Sequence, residues 1–277
     1  MRRALEASGN SLGFTLEQRR SCRHPAVKIS DLDFADDIAL ILDQIEEAQN
    51  TLLRVEEAAA KVGLHLNADK TEAIIYNQDA DEIKTRNGET IKNVGDFKYL
   101  GAWIDDSVTD IKSRKAQAWV ACNKLSKIWK SSLQKSLKIR LFRATVESIY
   151  LYGSEAWSIN KTTEKSIDGA YTRMLRTALN ISWREHITNE ELYGSLPKLS
   201  TRIKERRMRL AGHCYRHKEE EASKLVLWQP KHGKTKRGKR KTTYINTLLE
   251  DTGLENVGEI KTAMLDRNGW RERIHMV

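Results

Sequence analysis

Proline and glycine are scarce. Only three prolines and fifteen glycines occur in 277 residues, which excludes a collagen-like or low-complexity chain. Cysteine is scarcer still in useful arrangements. Cys22, Cys122 and Cys214 are odd in number and far apart, with no CxxC pair. That excludes a disulfide scaffold and fits a reducing compartment. No apolar run approaches the length of a membrane span. The N-terminal M-R-R-A-L-E-A-S-G-N carries basic residues but not the apolar run of a secretory signal, and no lipidation motif is visible. The expectation is a nuclear or cytoplasmic protein with no membrane partner.

What is abundant is charge. Charged residues make up 31% of the chain, the formal net charge is +10 and the pI is near 9.4. Such a balance points to an anionic partner, nucleic acid before membrane. The distribution is more informative than the total. Lys198 to Lys241 holds 16 Lys/Arg against 4 Glu, a net of +12, so the remainder is slightly acidic. Within it, K-H-G-K-T-K-R-G-K-R-K contains Lys231, Lys234, Lys236, Arg237, Lys239, Arg240 and Lys241 and no acid. It reads as a basic loop that would hold phosphates in a salt-sensitive, sequence-tolerant way. A solvated charged loop and a nuclear localisation signal are the other readings.

Periodicity divides the chain into three. In residues 1–107 short strands are expected at Val27 to Asp33, Ile38 to Leu42, Leu64 to Leu66, Glu72 to Tyr76 and Phe97 to Ile104, with a hairpin turn at Asn87-Gly88. Between them, Ile45, Ala48, Leu52, Val55, Ala59 and Val62 form one helical stripe over Gln44 to Val62. Asp43 and Glu46 suggest a capping box, and Gly63 a stop. Residues 108–187 read as a helical bundle over Asp110 to Lys130, Leu137 to Tyr152 and Thr163 to Leu179, with Trp119, Trp129 and Trp157 as core. Residues 188–277 read as a basic helical region. The fold class expected is α+β.

One stretch conflicts with a plain core hairpin: I-S-D-L-D-F-A-D-D-I-A-L-I-L, Ile29 to Leu42. Asp36 and Asp37 fall at its turn. Taken alone, such a pair reads as a solvated turn, because aspartates accept local backbone hydrogen bonds. Alternation puts Asp31 and Asp33 on the face opposite Leu32 and Phe34.

The flanks point elsewhere. L-D-F-A-D-D-I-A-L resembles the metal-site hairpin of reverse transcriptases, and the form F-A-D-D resembles those of non-LTR (LINE-type) retrotransposons. Downstream, G-L-H-L-N-A-D-K-T-E (Gly63 to Glu72) is similar to the family's next motif, and F-K-Y-L-G (Phe97 to Gly101) to its primer grip. S-I-Y-L-Y-G-S-E-A-W (Ser148 to Trp157) is similar to its thumb segment. Arg176 to Leu192, Arg206 to His213 and the basic run resemble stretches that follow, with Gly238-Lys239-Arg240-Lys241 in place of a Gly-Arg-Pro core and Tyr244 in place of Trp.

The resemblance implies an RNA-directed DNA polymerase working on an RNA template and a DNA primer. It implies an incomplete palm sheet with one packed helix, then an α-helical thumb and a basic helical tail. Asp36 and Asp37 would be Mg²⁺ ligands and Lys70 a proton donor or electrostatic partner for pyrophosphate. Phe97, Tyr99, Leu100 and Gly101 would support the primer terminus. The chemistry needs hard carboxylates because two Mg²⁺ ions bridge oxygens that gain negative charge.

In that family a third carboxylate, the fingers and the nucleotide-pocket motif lie upstream of F-A-D-D. The 35 residues before Asp36 carry none of them, although Leu12 to Glu17 resembles the linker that precedes the hairpin. The expectation is therefore the C-terminal part of a longer polymerase, inactive by itself, with an exposed sheet edge. The alternative is a non-catalytic nucleic-acid-binding remnant. His213, Cys214 and His217 lack a second cysteine at knuckle spacing and a fourth ligand, which argues against zinc.

Overall fold

The computed structural model describes residues 13–76, 82–104, 106–219, 221–229 and 243–276. Two compact units are present, Met1–Gly101 and Ala102–Val277.

The first unit is built from short pairs of strands and one helix. β1 (Phe14–Glu17) pairs antiparallel with β2 (Val27–Ile29), and β3 (Asp31–Phe34) with β4 (Asp37–Leu40). Ile41 ties the pairs together: its N–H donates to the Ser30 carbonyl at 2.8 Å and its carbonyl accepts from Phe14 N–H at 3.2 Å. The strand expected over Val27 to Asp33 is thus divided at Ser30, where pairing passes from β1 to β4.

α1 (Ile45–Ala60) buries Leu52, Val55 and Ala59 of the predicted stripe together with Thr51, and leaves Ile45 and Ala48 half-buried. Its start differs from expectation. The N-cap is Gln44 with no side-chain cap bond. The Asp43 carboxylate instead accepts a hydrogen bond from Thr15 Oγ1 at 3.3 Å. At the other end the helix stops at Ala60, so Val62 falls off the stripe and is 72% exposed.

Beyond Gly63 the expected strand at Leu64 to Leu66 does not form, and the strand at Glu72 shortens to β5 (Glu72–Ala73), parallel to β6 (Lys92–Asn93). Between them the Asn87-Gly88 turn is present: Thr85 N–H donates to Glu89 O at 2.8 Å and Gly88 has φ +84°. β7 (Lys98–Tyr99) closes the unit.

The second unit opens with β8 (Ala102–Trp103) and is otherwise helical. α2 (Ser107–Lys124) starts where the Asp106 carboxylate accepts from Val108 and Thr109 N–H, one turn earlier than periodicity alone suggests. α3 (Ser126–Trp129) follows at once, then α4 (Lys135–Phe142), a π-helical turn at Arg143–Glu147 and α5 (Ser148–Tyr150). α6 (Lys161–Ala178), capped by Asn160, buries Ile167, Ala170, Tyr171, Met174, Leu175 and Ala178. Trp129 and Trp157 join this first core and Trp119 packs at its margin. Burial of each large apolar side chain here contributes about 1.5–3 kcal/mol.

The remaining helices are α7 (Asn189–Tyr193), α8 (Leu199–Arg216), α9 (Glu221–Leu225), α10 (Tyr244–Thr252), α11 (Val257–Leu265) and α12 (Arg267–His275). α8 threads two cores. Its Leu199 and Ile203 belong to the first, while Met208 and Ala211 pack with Leu248, Ile260, Met264, Trp270 and Ile274 in a second. Gly212 permits the crossing, because a Cβ there would collide with Trp270 Nε1, whose indole N–H donates to Met208 O at 2.9 Å.

Candidate functional site

The β3–β4 register pairs Phe34 with Asp37 and Asp33 with Ile38, leaving Ala35 and Asp36 as a two-residue loop. A loop this tight requires a left-handed residue, and Ala35 supplies it at φ +56° without being glycine. Asp36 and Asp37 are both exposed at the tip. Directly opposed residues share a face, so Asp31 and Asp33 share theirs with Leu40 and Ile38. Alternation does not separate a buried from a solvated face here. Phe34, expected inside, is 64% exposed, and Leu32 is only half-buried.

The segment Phe97 to Gly101 reaches this hairpin. The Tyr99 hydroxyl donates to the Leu32 carbonyl at 3.1 Å, with the Asp37 carbonyl at 3.5 Å as a longer second acceptor. Phe97 and Tyr99, two apart on one strand face, stack with centroids 6.4 Å apart and planes 18° apart. Leu100 and Gly101 both have positive φ, 48° and 82°, and end the strand in a tight turn. Burial first, then the charges of Asp37 and Asp33, raise the Tyr99 phenol above its ordinary value.

Lys70 is placed differently. It ends an exposed turn organised by Asn67, whose side-chain and backbone oxygens both accept from Lys70 N–H at 3.2 Å. Thr71 N–H and Oγ1 donate to the Asn67 carbonyl at 3.0 and 2.8 Å. Lys70 forms no ion pair with Asp36 or Asp37 among the described residues.

Two adjacent carboxylates suit Mg²⁺ only in part. Mg²⁺ takes one or two carboxylates together with waters and substrate phosphates, so Asp36 and Asp37 fit an ion shared with a nucleic acid. They do not fit a resident ion: no cluster of three His, Cys, Asp or Glu that could hold one exists among the described residues. The His213 and His217 rings lie 4.3 Å apart, tilted by 48°, but Cys214, between them in sequence, is buried.

Four residues of the segment Ser148 to Trp157 have structural work. Tyr150 is fully buried, Tyr152 carries the Arg114 guanidinium 4.3 Å over its ring, and Glu155 takes Arg206 Nε at 2.6 Å. Trp157 Nε1 donates to buried Asp110 at 2.8 Å, and its carbonyl accepts from Arg207 at 2.8 Å. The resemblance did not single out Asp110 or Arg114, and it covered Arg206 and Arg207, in the stretch Arg206 to His213, without a role for either. Asp110 stands out only as the last acid before a long acid-free stretch.

Nor is α8 a free basic face. Arg202 pairs with Glu147 at 2.9 Å, Lys204 with Glu164 at 3.1 Å, Arg206 with Glu155, Arg207 with Asp251 and Arg209 with Glu205 at 3.5 Å. The seven cations of the basic run, Lys231, Lys234, Lys236, Arg237, Lys239, Arg240 and Lys241, lie outside the described residues.

Over 262 residues the chain is 26% identical to an uncharacterized transposon-derived protein of Caenorhabditis elegans, covering 87% of this chain and 94% of that one. The similarity fits a transposable-element origin. It does not extend to reverse transcription as such. No protein-family model and no solved structure matches the chain.

Proposed function

We propose that the chain is the part of a non-LTR retrotransposon reverse transcriptase that carries the aspartate hairpin, the primer grip and the thumb. The observation that carries this reading is the Tyr99 bond to the hairpin backbone. It joins two segments some sixty residues apart that, in the family resembled, serve one task. Phe97, Tyr99, Leu100 and Gly101 would support a DNA primer on an RNA template beside Asp36 and Asp37, with Lys70 facing the departing pyrophosphate. Mg²⁺, when bound by the two aspartates and the phosphates, would offset the charge that develops on the reacting oxygens.

The donor set favours a second element in the reading. With two carboxylates and no third among the described residues, these 277 residues bind a primed template but do not extend it. The test uses the purified chain with Mg²⁺, nucleotides and a DNA primer annealed to RNA. Expected are no extension and a photo-crosslink from a benzoylphenylalanine at Phe97 to the primer strand near its 3′ end. Extension that is lost in Asp36→Ala would refute the inactivity. Crosslinks scattered along the duplex would refute the primer-grip assignment.

A further inference from the structure

Five of the six Lys and Arg of α8 are paired with carboxylates, but most cations of a second basic stretch are not. Ile111 to Val146 contains seven Lys, three Arg and no Asp or Glu. At the chain's average, a segment of that length would hold about five acids. Three of its cations are occupied: Arg114 with Asp110 at 3.6 Å, Arg143 with Glu147 at 3.9 Å, and Lys138 with two carbonyls. Lys124, Lys127, Lys130, Lys135 and Arg140 are exposed and have no carboxylate within 4.0 Å among the described residues.

These five are carried by a braced corner. Trp129 is buried and its Nε1 donates to Cys122 O at 2.8 Å, fixing α3 against the end of α2. The buried ammonium of Lys138 donates to Trp129 O at 2.6 Å and Ser131 O at 2.9 Å, clamping α4 to the end of α3. Lys130 and Lys135 therefore flank one short loop, residues 131–134. No side chain caps α4, so the Lys135 and Ser136 N–H groups have no acceptor among the described residues. Exposed Ser126, Ser132, Gln134 and Ser136 add neutral donors of the kind that meet phosphate oxygens.

We propose that this corner, from the end of α2 through α3 to α4, is a docking surface for the phosphate backbone of nucleic acid. Cations without acidic partners, on elements that need no ordering, attract a polyanion at little entropic cost. The contacts reach phosphates and read no bases, so binding is indifferent to sequence and sensitive to salt. The inference does not depend on the polymerase reading, since a duplex without a primer terminus serves equally.

The test is a salt titration of a blunt, random-sequence RNA–DNA duplex against the full chain. K124Q/K127Q/K130Q/K135Q/R140Q is compared with a chain carrying five Gln substitutions in Lys231 to Lys241. Each phosphate contact contributes about 0.9 to the log–log salt slope, so the corner variant is expected to lose about 4.5 from the slope and at least ~10-fold in affinity. The substituted side chains are exposed, so the thermal midpoint should be kept. If it is not, K130Q/K135Q alone should lose about 2 from the slope. Because Ile128, Leu133 and Leu137 are also exposed there, phosphatidylserine vesicles form the other arm. An unchanged slope in the corner variants, or vesicle binding that depends on the corner while duplex binding does not, overturns the proposal. The Phe97 crosslink is independent of either result.

Discussion

Tyr99 carries more of the candidate site than either aspartate does, because its hydroxyl ties the tip-bearing hairpin to the segment Phe97 to Gly101. Its hydroxyl satisfies the Leu32 carbonyl in a half-buried position. Tyr99→Phe keeps the ring stack with Phe97 and removes that donor. Expected is a loss of about 0.5–1.5 kcal/mol in urea unfolding and a weaker Phe97 crosslink to the primer strand. The pH dependence has a definite sign. Burial and the neighbouring carboxylates raise the phenol, so the bond's contribution is complete below the unfolded tyrosine pKa, about 10, and is lost as pH rises through the higher folded value. An absorbance titration of parent minus Tyr99→Phe should show one tyrosine ionising late. A difference curve centred at the ordinary value would remove the basis for this assignment. The sequence reading reached Tyr99 only through a motif, since nothing in F-K-Y-L-G says which carbonyl the hydroxyl meets.

At the scale of elements, legibility followed the range of the interactions. The stripes of α1 and α6 were readable because helical burial repeats every three or four residues. The start of α1 was not, because Thr15, 28 residues away, takes up the carboxylate that would have capped it. The role of α8 was hidden for the same reason: Arg207 meets Asp251 44 residues on and Trp157 O 50 residues back, so a run that reads as a basic face is a set of internal ion pairs. Arg207 is fully buried, and its pairing with Asp251 joins α8 to α10. Asp251→Ala strands a buried guanidinium and is expected to cost about 3–5 kcal/mol, whereas R207M/D251L should fall near the parent. Equal losses in the two variants, measured by chemical denaturation, would mean that the pair adds stability rather than merely avoiding an unpaired charge.

At the scale of the whole molecule the two units differ in how well they cover their apolar residues. In the second, Ile167, Tyr171, Met174 and Leu175 of α6 are buried, and two cores share one helix. In the first, Phe34, Val62, Leu64 and Tyr76 are 64%, 72%, 57% and 62% exposed, and no described sheet exceeds two strands. Two-stranded pairs with little covered surface open easily, while amides behind a closed core exchange only on larger unfolding. Hydrogen exchange should therefore find α2 and α6 slowest and β3–β4 fast in the free chain. Primed RNA–DNA duplex should slow β3, β4 and β7 if the hairpin and grip meet the primer, and α3–α4 if the basic corner meets the backbone. A duplex lacking a recessed primer end should retain the second effect and lose the first. Protection confined to α3–α4 with both duplexes would leave a backbone-binding protein whose aspartate hairpin is ancestral in form only, and protection at neither place would set aside both readings.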